Sequence, residues 1–245
     1  YAAMLDHMDY QIGRVLEELE GSGRARNTIV VFVSDNGPDQ SEPNRAPRAV
    51  AWYAARYPET SDESFGRPGS FPTYGPQWAQ LGSVHLRHYK GSSGEGGMRV
   101  PCVMRWPAGI KPGQVCSQVA STIDLLPTFA NIAGATLDVS RPIDGRDVGG
   151  LLKDPTSESP HEKTGFYYFR NSRLEAIRLG DWKLHFKLKL ELYNLREDIS
   201  ETNNLINTKP ELVRHMITVA ERYHANLKAN TRPAWSGRPR SSPDK

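Results

Sequence analysis

Two neighbouring side chains that could bind a hard cation follow directly on a run of apolar residues. The run spans Thr28 to Val33, and Ser34, Asp35, Asn36 and Gly37 come next. A carboxylate and an amide oxygen suit Ca²⁺, with Mg²⁺ as the alternative, better than they suit a thiophilic metal. Asp-Asn-Gly is also a common plain turn, so this pair alone leaves both interpretations open.

A lysine at the start of a glycine-rich segment is the second candidate. The segment runs from Lys90 to Pro101 and consists largely of Gly and Ser up to Gly97. Small residues let the backbone approach an anion closely, and a lysine ammonium can bind sulfate or phosphate oxygens as negative charge builds up on them. Because most lysine side chains are exposed, a solvated lysine on a turn is the alternative.

Two groups beside that lysine have weaker claims. His88, which with His85 flanks Arg87, could contact substrate, since imidazole suits proton transfer to a leaving group. An exposed structural histidine is the alternative. Glu95 would repel a bound anion if it pointed inward, so we predict either a structural ion pair, with Arg99 as the partner, or a hydrogen bond to nearby backbone.

The elements that position these residues begin with a helix and a strand. Apolar residues recur every three or four positions from Leu5 to Leu19, which predicts an amphipathic helix ending at Gly21 to Gly23. The run Thr28 to Val33 is typical of a strand covered on both faces in a parallel sheet. Helix followed by strand implies an α/β fold, and open α/β sheets bind ligands at the carboxyl ends of their strands.

The segment 38–82 has no periodicity but is rich in proline and aromatic residues. We predict an ordered insertion, whose rings either line a cleft for substrate or fill a local core. After it, Arg99 to Trp106 is predicted as a strand. A helix is predicted from Asp124 to Ala133, with Ser121 or Thr122 as its cap.

The chain changes character beyond residue 150. Four short strand-like runs between residues 166 and 195 predict a small antiparallel sheet, and Pro210 begins a final amphipathic helix. We therefore predict the C-terminal part of an α/β domain over 1–150, an α+β subdomain over 151–230 and a flexible tail over 231–245.

Composition predicts a globular chain with no general polyanion or membrane partner. Lys and Arg number 31 against 28 Asp and Glu, and a net charge of +3 gives no reason to expect nucleic acid or a membrane surface. The longest apolar run, Ile29 to Val33, is far shorter than the ~20 residues of a membrane span. Cys102 and Cys116 are too few for a disulfide framework or a zinc cluster, and we predict ordinary buried thiols.

The order and spacing of the motifs resemble those of one family. Ser34 to Gly37, Tyr74 to Ala79, Tyr89 to Gly91 and Glu95 to Pro101 strongly resemble the arylsulfatase type of the sulfatase family, in the alkaline-phosphatase-like superfamily. Further matching segments are Trp106 to Ile110, Asp124 to Thr128, Ile143 to Gly145, Trp182 to Leu184 and Glu191 to Leu195. The resemblance extends from Tyr1 to near Lys228, and the combination is highly specific although no single motif is.

The resemblance implies an alkaline-phosphatase-like α/β fold, in which a mixed sheet flanked by helices carries the site and a small C-terminal antiparallel sheet with a helix follows. In the family, the residues matching Asp35 and Asn36 bind Ca²⁺, and the residue matching Lys90 contacts the substrate sulfate. The implied activity is hydrolysis of aryl or carbohydrate sulfates, and the implied location is periplasmic or secreted. His88 departs from the less polar residues usual at its position. The oligomeric state is not implied.

The family's nucleophile is a Cys or Ser in a Cys/Ser-x-Pro-x-Arg motif, which is converted to formylglycine and lies upstream of the Asp-Asn pair. The chain opens at Tyr1, directly in a helical pattern, without an initiator Met or a signal region. We therefore expect a C-terminal portion that lacks the nucleophile and is inactive by itself. Ser41 to Arg45 fits the motif's spacing but follows the Asp-Asn pair, and Cys102 and Cys116 lack the required context.

Two rival functions stay open on the sequence. A phosphodiesterase or phosphonate hydrolase of the same superfamily would use the same fold and similar oxygen ligands. A non-catalytic binding or structural module would account for the missing nucleophile.

Overall fold

The computed structural model describes residues 1–41, 47–59, 61–73, 75–138, 140, 142–187 and 189–231. Within these residues the helices are α1 (Ala2–Gly21), α2 (Pro47–Arg56), α3 (Gly75–Gly82), α4 (Glu95–Met98), α5 (Leu125–Ile132), α6 (Gly149–Lys153), α7 (Pro160–Thr164) and α8 (Pro210–Ala229). The strands are β1 (Val30–Val33), β2 (Cys102–Arg105), β3 (Phe166–Arg170), β4 (Arg173–Leu179), β5 (Trp182–His185) and β6 (Glu191–Asn194). The predicted tail beyond Thr231 and most of the Ser41 to Arg45 segment lie outside the described residues.

The amphipathic helix predicted at the start of the chain is present as α1, and it ends at Gly21. Its apolar face is not covered, because no residue of α1 is buried and Met8 and Val15 are 41% and 60% exposed. Periodicity therefore predicted the helix correctly. None of the described residues packs closely enough against the apolar face of α1 to bury that face.

The strand predicted before the Asp-Asn pair is confirmed as β1. The prediction of a parallel neighbour and two covered faces is wrong for the described residues, where β1 and β2 form a two-stranded antiparallel sheet with Val31 opposite Met104. Phe32 is 50% exposed. A β-branched run favours extended backbone whichever way its neighbour runs, so it does not reveal the direction of pairing.

The insertion 38–82 contains the helices α2 and α3, which the missing periodicity did not reveal. Its aromatic rings pack against one another, with the ring centres of Tyr53 and Tyr57 each 4.9 Å from that of Phe71. Because Phe71 is 46% exposed and neither tyrosine is buried, these contacts leave both interpretations of the rings, a cleft and a local core, open.

The C-terminal sheet and final helix are confirmed. β3, β4, β5 and β6 are antiparallel neighbours in that order, and α8 packs against the sheet. The core between them is built from Ile177, Leu184 and Leu192 on the strands and Val213 and Met216 on the helix. Because side chains alternate along a strand, the residues on either side of Leu184 face the opposite side of the sheet.

Helix α5 begins where the sequence predicted. Ser121 caps a short 3₁₀ turn, Thr122–Asp124, and not α5 itself, whose N-cap is Asp124; the backbone N–H of Ser121 donates to the Asp124 carboxylate at 2.8 Å. The same carboxylate lies 2.8 Å from the imidazole of His161 on α7, and both side chains are buried. The predicted boundary at residue 150 falls within α6, and a division of the chain there stays a proposal.

Both cysteines are free and exposed, so the prediction of buried thiols is wrong. Cys102 opens β2, whose first two residues are both exposed, Val103 to 62%, so neither face of the strand is covered at this end. Over the described part of the chain, every helix is too short or too polar to cross a membrane.

Candidate functional site

The turn after β1 exposes one oxygen donor and buries another. Asp35 is exposed, whereas the side-chain oxygen of Asn36 is buried and accepts no hydrogen bond within the described structure. The Ser34 hydroxyl donates to the backbone carbonyl of Asn36 at 2.9 Å and so stabilises the turn. A buried amide oxygen without a partner is costly in a folded protein, because its hydration is lost without replacement.

The glycine-rich segment folds tightly on itself. A Cβ atom on Gly96 would lie 2.0 Å from the carbonyl oxygen of His88, and one on Gly97 would lie 2.3 Å from that of Ser92. From the sequence, the small residues of this segment are expected to let an anion approach the backbone. The described contacts give these two glycines a different task, which is to let backbone pack against backbone.

The turn and the segment converge. The Gly37 N–H donates to the carbonyl of Gly97 at 3.0 Å, and the Lys90 N–H donates to the carbonyl of Pro38 at 3.0 Å. A Cβ on Gly37 would lie only 1.9 Å from the Gly96 oxygen, so the contact requires glycine. The Asp-Asn pair and the lysine, which are far apart in sequence, therefore share one corner of the molecule.

The ammonium of Lys90 lies 2.9 Å from a carboxylate oxygen of Asp39, and each side chain is about half exposed. The hydrogen bond to Asp39 is the largest effect that raises the pKa of Lys90, and the charge of Asp35 adds to it. Hydrogen bonds from Ser41 and from Lys90 lower the pKa of Asp39 to about 2. Both groups are therefore charged at neutral pH.

Sequence reasoning missed Asp39. The one available signal was an acidic residue two positions after Gly37, in a turn already identified as polar.

The backbone carbonyl of His88 packs against Gly96 and so lies in the same corner, where it also accepts a hydrogen bond from the Ser83 hydroxyl at 3.0 Å. Its φ of 62° places it in the left-handed region that few residues other than glycine adopt. Partial burial lowers the pKa of His88, and the charge of Arg87 lowers it further, so the imidazole is neutral at pH 7. A substrate contact by His88 stays a prediction.

Glu95 has the predicted ion pair with Arg99, at 3.6 Å, but a closer partner was missed. The ammonium of Lys183 lies 2.7 Å from the other Glu95 oxygen, and Lys183 has no solvent exposure. The sequence segment Trp182 to Leu184 shows only an alternating strand pattern. A buried charge in such a pattern cannot be distinguished from an outward-facing lysine without knowing what lies against that face.

A divalent cation fits the donors of this corner in type but not in number. Among the described residues, no group of three or more His, Cys, Asp or Glu side chains is arranged to hold a metal ion. The unpartnered Asn36 oxygen and the exposed Asp35 carboxylate are hard donors of the kind that Ca²⁺ prefers. Hard cations take six or more oxygen ligands, so these two donors can form only part of a site.

Comparison with known proteins gives two matching family models. Residues 1–135 match the model named Sulfatase, and residues 89–229 match the model described as N-sulphoglucosamine sulphohydrolase, C-terminal. The two models together cover α1 through α8 and include both converging segments.

Individual proteins agree with the models. The chain is 33% identical over 248 residues to an uncharacterised sulfatase of Schizosaccharomyces pombe, and this match covers 95% of this chain and 44% of that protein. It is 34% identical over 180 residues to mouse steryl-sulfatase, and this match covers 73% of this chain and 24% of that protein. The crystal structure of Ps i-CgsB in complex with k-i-k-neocarrahexaose superposes with a TM-score of 0.68 at 28% identity, over 96% of this chain and 44% of that one. The chain thus spans less than half the length of these proteins.

Proposed function

The chain belongs to the sulfatase family, and on that premise we propose that it is the C-terminal portion of a longer protein that hydrolyses sulfate esters. The observation that carries the proposal is the convergence of the Asp35-Asn36 turn with the segment that begins at Lys90. It rests on the two backbone hydrogen bonds from Gly37 to Gly97 and from Lys90 to Pro38. On this proposal an oxygen pair for a cation and the positive charge of Lys90 share one oxyanion site.

We assign Asp35 and Asn36 to a divalent cation, Ca²⁺ or alternatively Mg²⁺. Among the described residues the buried Asn36 oxygen has no hydrogen-bond partner, and a cation would satisfy it. When bound, such an ion stabilises negative charge on sulfate oxygens. The remaining ligands would come from outside the described residues.

We assign Lys90 to the substrate sulfate. Its raised pKa keeps it cationic at neutral pH. Its partial exposure lets it contact a ligand while Asp39 holds the ammonium from one side. As a sulfate ester is cleaved, negative charge grows on the sulfate and leaving-group oxygens, and a cation already in place stabilises that charge without reorganisation. His88, as a neutral imidazole, is a candidate for contact with the leaving group.

We propose that formylglycine, formed from a Cys or Ser upstream of this chain, supplies the nucleophile. Cys102 is a poor substitute, because partial desolvation by neighbouring atoms raises the pKa of its thiol, although the residue is exposed, and so reduces the thiolate at neutral pH. The chain alone is therefore expected to be inactive. Purified chain that hydrolyses an aryl sulfate at a rate proportional to its concentration would contradict this.

We propose aryl or carbohydrate sulfates as substrates and a periplasmic or secreted location. Support for the carbohydrate class comes from Ps i-CgsB, which was crystallised with an oligosaccharide. Support for the location comes from the family resemblance. Fractionation of cells that express the longer protein tests the location, and a panel of aryl and sugar sulfates tests the substrate class.

The site assignment is tested in the longer protein by single substitutions. Lys90→Ala is expected to lower kcat/KM for an aryl sulfate by about 10²-fold, the loss typical of a removed oxyanion contact. Lys111→Ala removes an exposed lysine from the loop after β2 and serves as the matched control. Asp35→Ala is expected to lower the content of bound calcium. Wild-type kinetics in Lys90→Ala, or wild-type calcium in Asp35→Ala, would refute the corresponding assignment.

The two rival functions give different results in the same assays. A phosphodiesterase or phosphonate hydrolase would turn over phosphate diesters or phosphonates faster than sulfate esters. A non-catalytic module would be stabilised by calcium, seen as a higher melting temperature, with no turnover of either substrate class.

A further inference from the structure

Side chains of the C-terminal sheet contact the loop that carries Lys90 at several points. Before the lysine, the guanidinium of Arg87 donates to the Glu191 carboxylate at 2.9 Å. Just after it, the guanidinium of Arg170 donates to the carbonyl of Gly91 at 2.9 Å. Residues 87–99, which we call the lysine loop, are therefore fixed by partners more than seventy positions away in sequence.

The most buried of these contacts form a set of ionisable side chains. The Lys183 ammonium lies 2.7 Å from Glu95 and 3.2 Å from Glu201, and the His185 imidazole lies 2.6 Å from the same Glu201 oxygen. All four side chains are almost fully buried. We call these four residues the buried network. One of them, Glu95, belongs to the lysine loop, and the others belong to β5 and to the turn after β6.

Further contacts fix the geometry of the buried network. The Tyr168 hydroxyl donates to Glu95 at 3.2 Å, and the Lys183 ammonium lies 4.3 Å from the centre of the Tyr168 ring. The backbone N–H of Glu95 donates to the second Glu201 oxygen at 2.7 Å. Glu201 has a φ of 53°, so it holds a backbone conformation that is unfavourable for a residue with a side chain.

Buried charges restrict the position of their partners more than apolar contacts do. If Glu95 moved away, Lys183 would keep only Glu201, which His185 also contacts. An unpaired charge without solvent is strongly unfavourable, so the network resists any shift of Glu95. Apolar surfaces can slide by small amounts at little cost, whereas hydrogen-bonded ion pairs depend on distance and direction.

A short run of contacts leads from Glu95 to the candidate site. Glu95 begins α4, whose Gly97 carbonyl accepts the N–H of Gly37 at 3.0 Å. The Gly96 N–H donates to the Arg87 carbonyl at 2.9 Å and closes the lysine loop. The position of Glu95 therefore fixes both ends of the loop between which Lys90 lies.

We infer that Lys183 is a positioning residue that, through Glu95 and the rest of the buried network, places Lys90 for sulfate binding. This inference rests on the proposed function of Lys90. It assigns to the C-terminal sheet a part in turnover, although none of its side chains need touch the substrate.

The decisive test is a double-mutant cycle in the longer protein, with kcat/KM for an aryl sulfate as the readout. Lys183→Met is expected to lower kcat/KM by about 10- to 100-fold, as removal of residues that orient a site typically does. In a Lys90→Ala background the same substitution is expected to cause no further loss, because its effect passes through Lys90. Equal losses in both backgrounds would overturn the inference.

The matched control is His161→Gln, which perturbs a buried carboxylate–imidazole hydrogen bond away from the lysine loop. The Asp124–His161 pair is as buried as the network and has a distance of 2.8 Å. A similar loss of melting temperature without a comparable loss of kcat/KM is expected for this control. If His161→Gln lowers kcat/KM as much as Lys183→Met does, the effect is one of general stability and the inference is wrong.

A second readout does not depend on activity. Amide hydrogen exchange of Lys90 and Gly96 is expected to accelerate in Lys183→Met and to stay unchanged in His161→Gln. If Lys183→Met does not fold, the Glu95→Gln/Lys183→Met variant, which also removes the stranded Glu95 charge, replaces it with the same expected results. Unchanged exchange in either folded variant would overturn the inference. A null result for Lys90→Ala alone would instead refute the proposed function, while the exchange data still decide how the loop is held.

Discussion

Glu201→Gln should remove a large, pH-dependent part of the chain's stability. Burial alone would raise the pKa of the Glu201 carboxyl, but the hydrogen bond from His185 and the charge of Lys183 outweigh burial and lower it from 4.5 to about 2. The folded chain therefore holds this carboxylate ionised down to a pH at which the unfolded chain has bound a proton. Protonation consequently favours unfolding.

The magnitude follows from that difference in pKa. At ~1.4 kcal/mol per pKa unit, the fall from 4.5 to about 2 corresponds to about 3 kcal/mol in the free energy of unfolding. A depressed carboxyl pKa stabilises above the unfolded value, so this contribution is complete above about pH 5 and is lost as the pH falls toward 2. The Gln side chain cannot ionise and lacks the contribution at every pH.

Urea unfolding of the wild-type chain and of Glu201→Gln at a series of pH values measures the effect. The two free energies should differ by about 3 kcal/mol at pH 7 and converge near pH 2. Asp39→Asn is the control, because its carboxyl also has a pKa of about 2 but its side chain is 48% exposed. Solvent screens such a pair, so Asp39→Asn should cost less than ~1 kcal/mol.

Two outcomes would refute the reasoning. A constant difference between wild type and Glu201→Gln across the pH series would mean that the stabilisation does not depend on the ionised carboxylate. Equal effects of Glu201→Gln and Asp39→Asn at pH 7 would mean that burial does not decide the strength of these two ion pairs.

Three further substitutions, of which Gly13→Ala is a control, test the packing of the two halves of the chain by urea unfolding. Gly37→Ala should destabilise by about 1–3 kcal/mol, because its Cβ would meet the Gly96 oxygen at 1.9 Å. Gly13→Ala on α1, where a Cβ would have nothing within 4 Å, should instead stabilise by ~0.5–1 kcal/mol. Changes of the same sign in both variants would contradict this prediction. Tyr223→Leu keeps an apolar side chain but loses the stacked ring of Tyr167, at 3.6 Å between centres, and should cost about 1 kcal/mol; an unchanged midpoint would show that the stack contributes nothing.

Local patterns in the sequence predicted the regular elements well. The spacing of Leu5 to Leu19 predicted α1, the β-branched run predicted β1, and the alternation after residue 166 predicted the four antiparallel strands. Each of these signals reports on a single segment, and a single segment decides whether backbone is helical or extended. The direction in which β1 pairs is set by a distant segment, and there the prediction of a parallel neighbour was wrong.

The candidate site was predictable only in part. The convergence of the Asp35-Asn36 turn with the Lys90 segment followed from the resemblance to the family, not from spacing. The partners Asp39 and Lys183 were missed, because an acidic residue in a turn and a lysine in a strand are ordinary surface residues in most proteins. Burial turns Lys183 into a residue with a fixed position, and burial depends on what lies against its strand.

The two faces of β5 explain why the C-terminal sheet can hold the lysine loop in one place. Leu184 faces α8 in the apolar core, while Lys183 and His185 face the loop. A shift of one residue in the pairing with β6 would exchange these faces, placing charges in the core and Leu184 against Glu95. Both faces therefore enforce the same register, in which Leu184 lies opposite Leu192.

Replacing buried ion pairs by apolar residues is often harmless to stability, so stability alone does not account for a network of charges here. Its directional contacts agree with the proposed role of holding the lysine loop in one position.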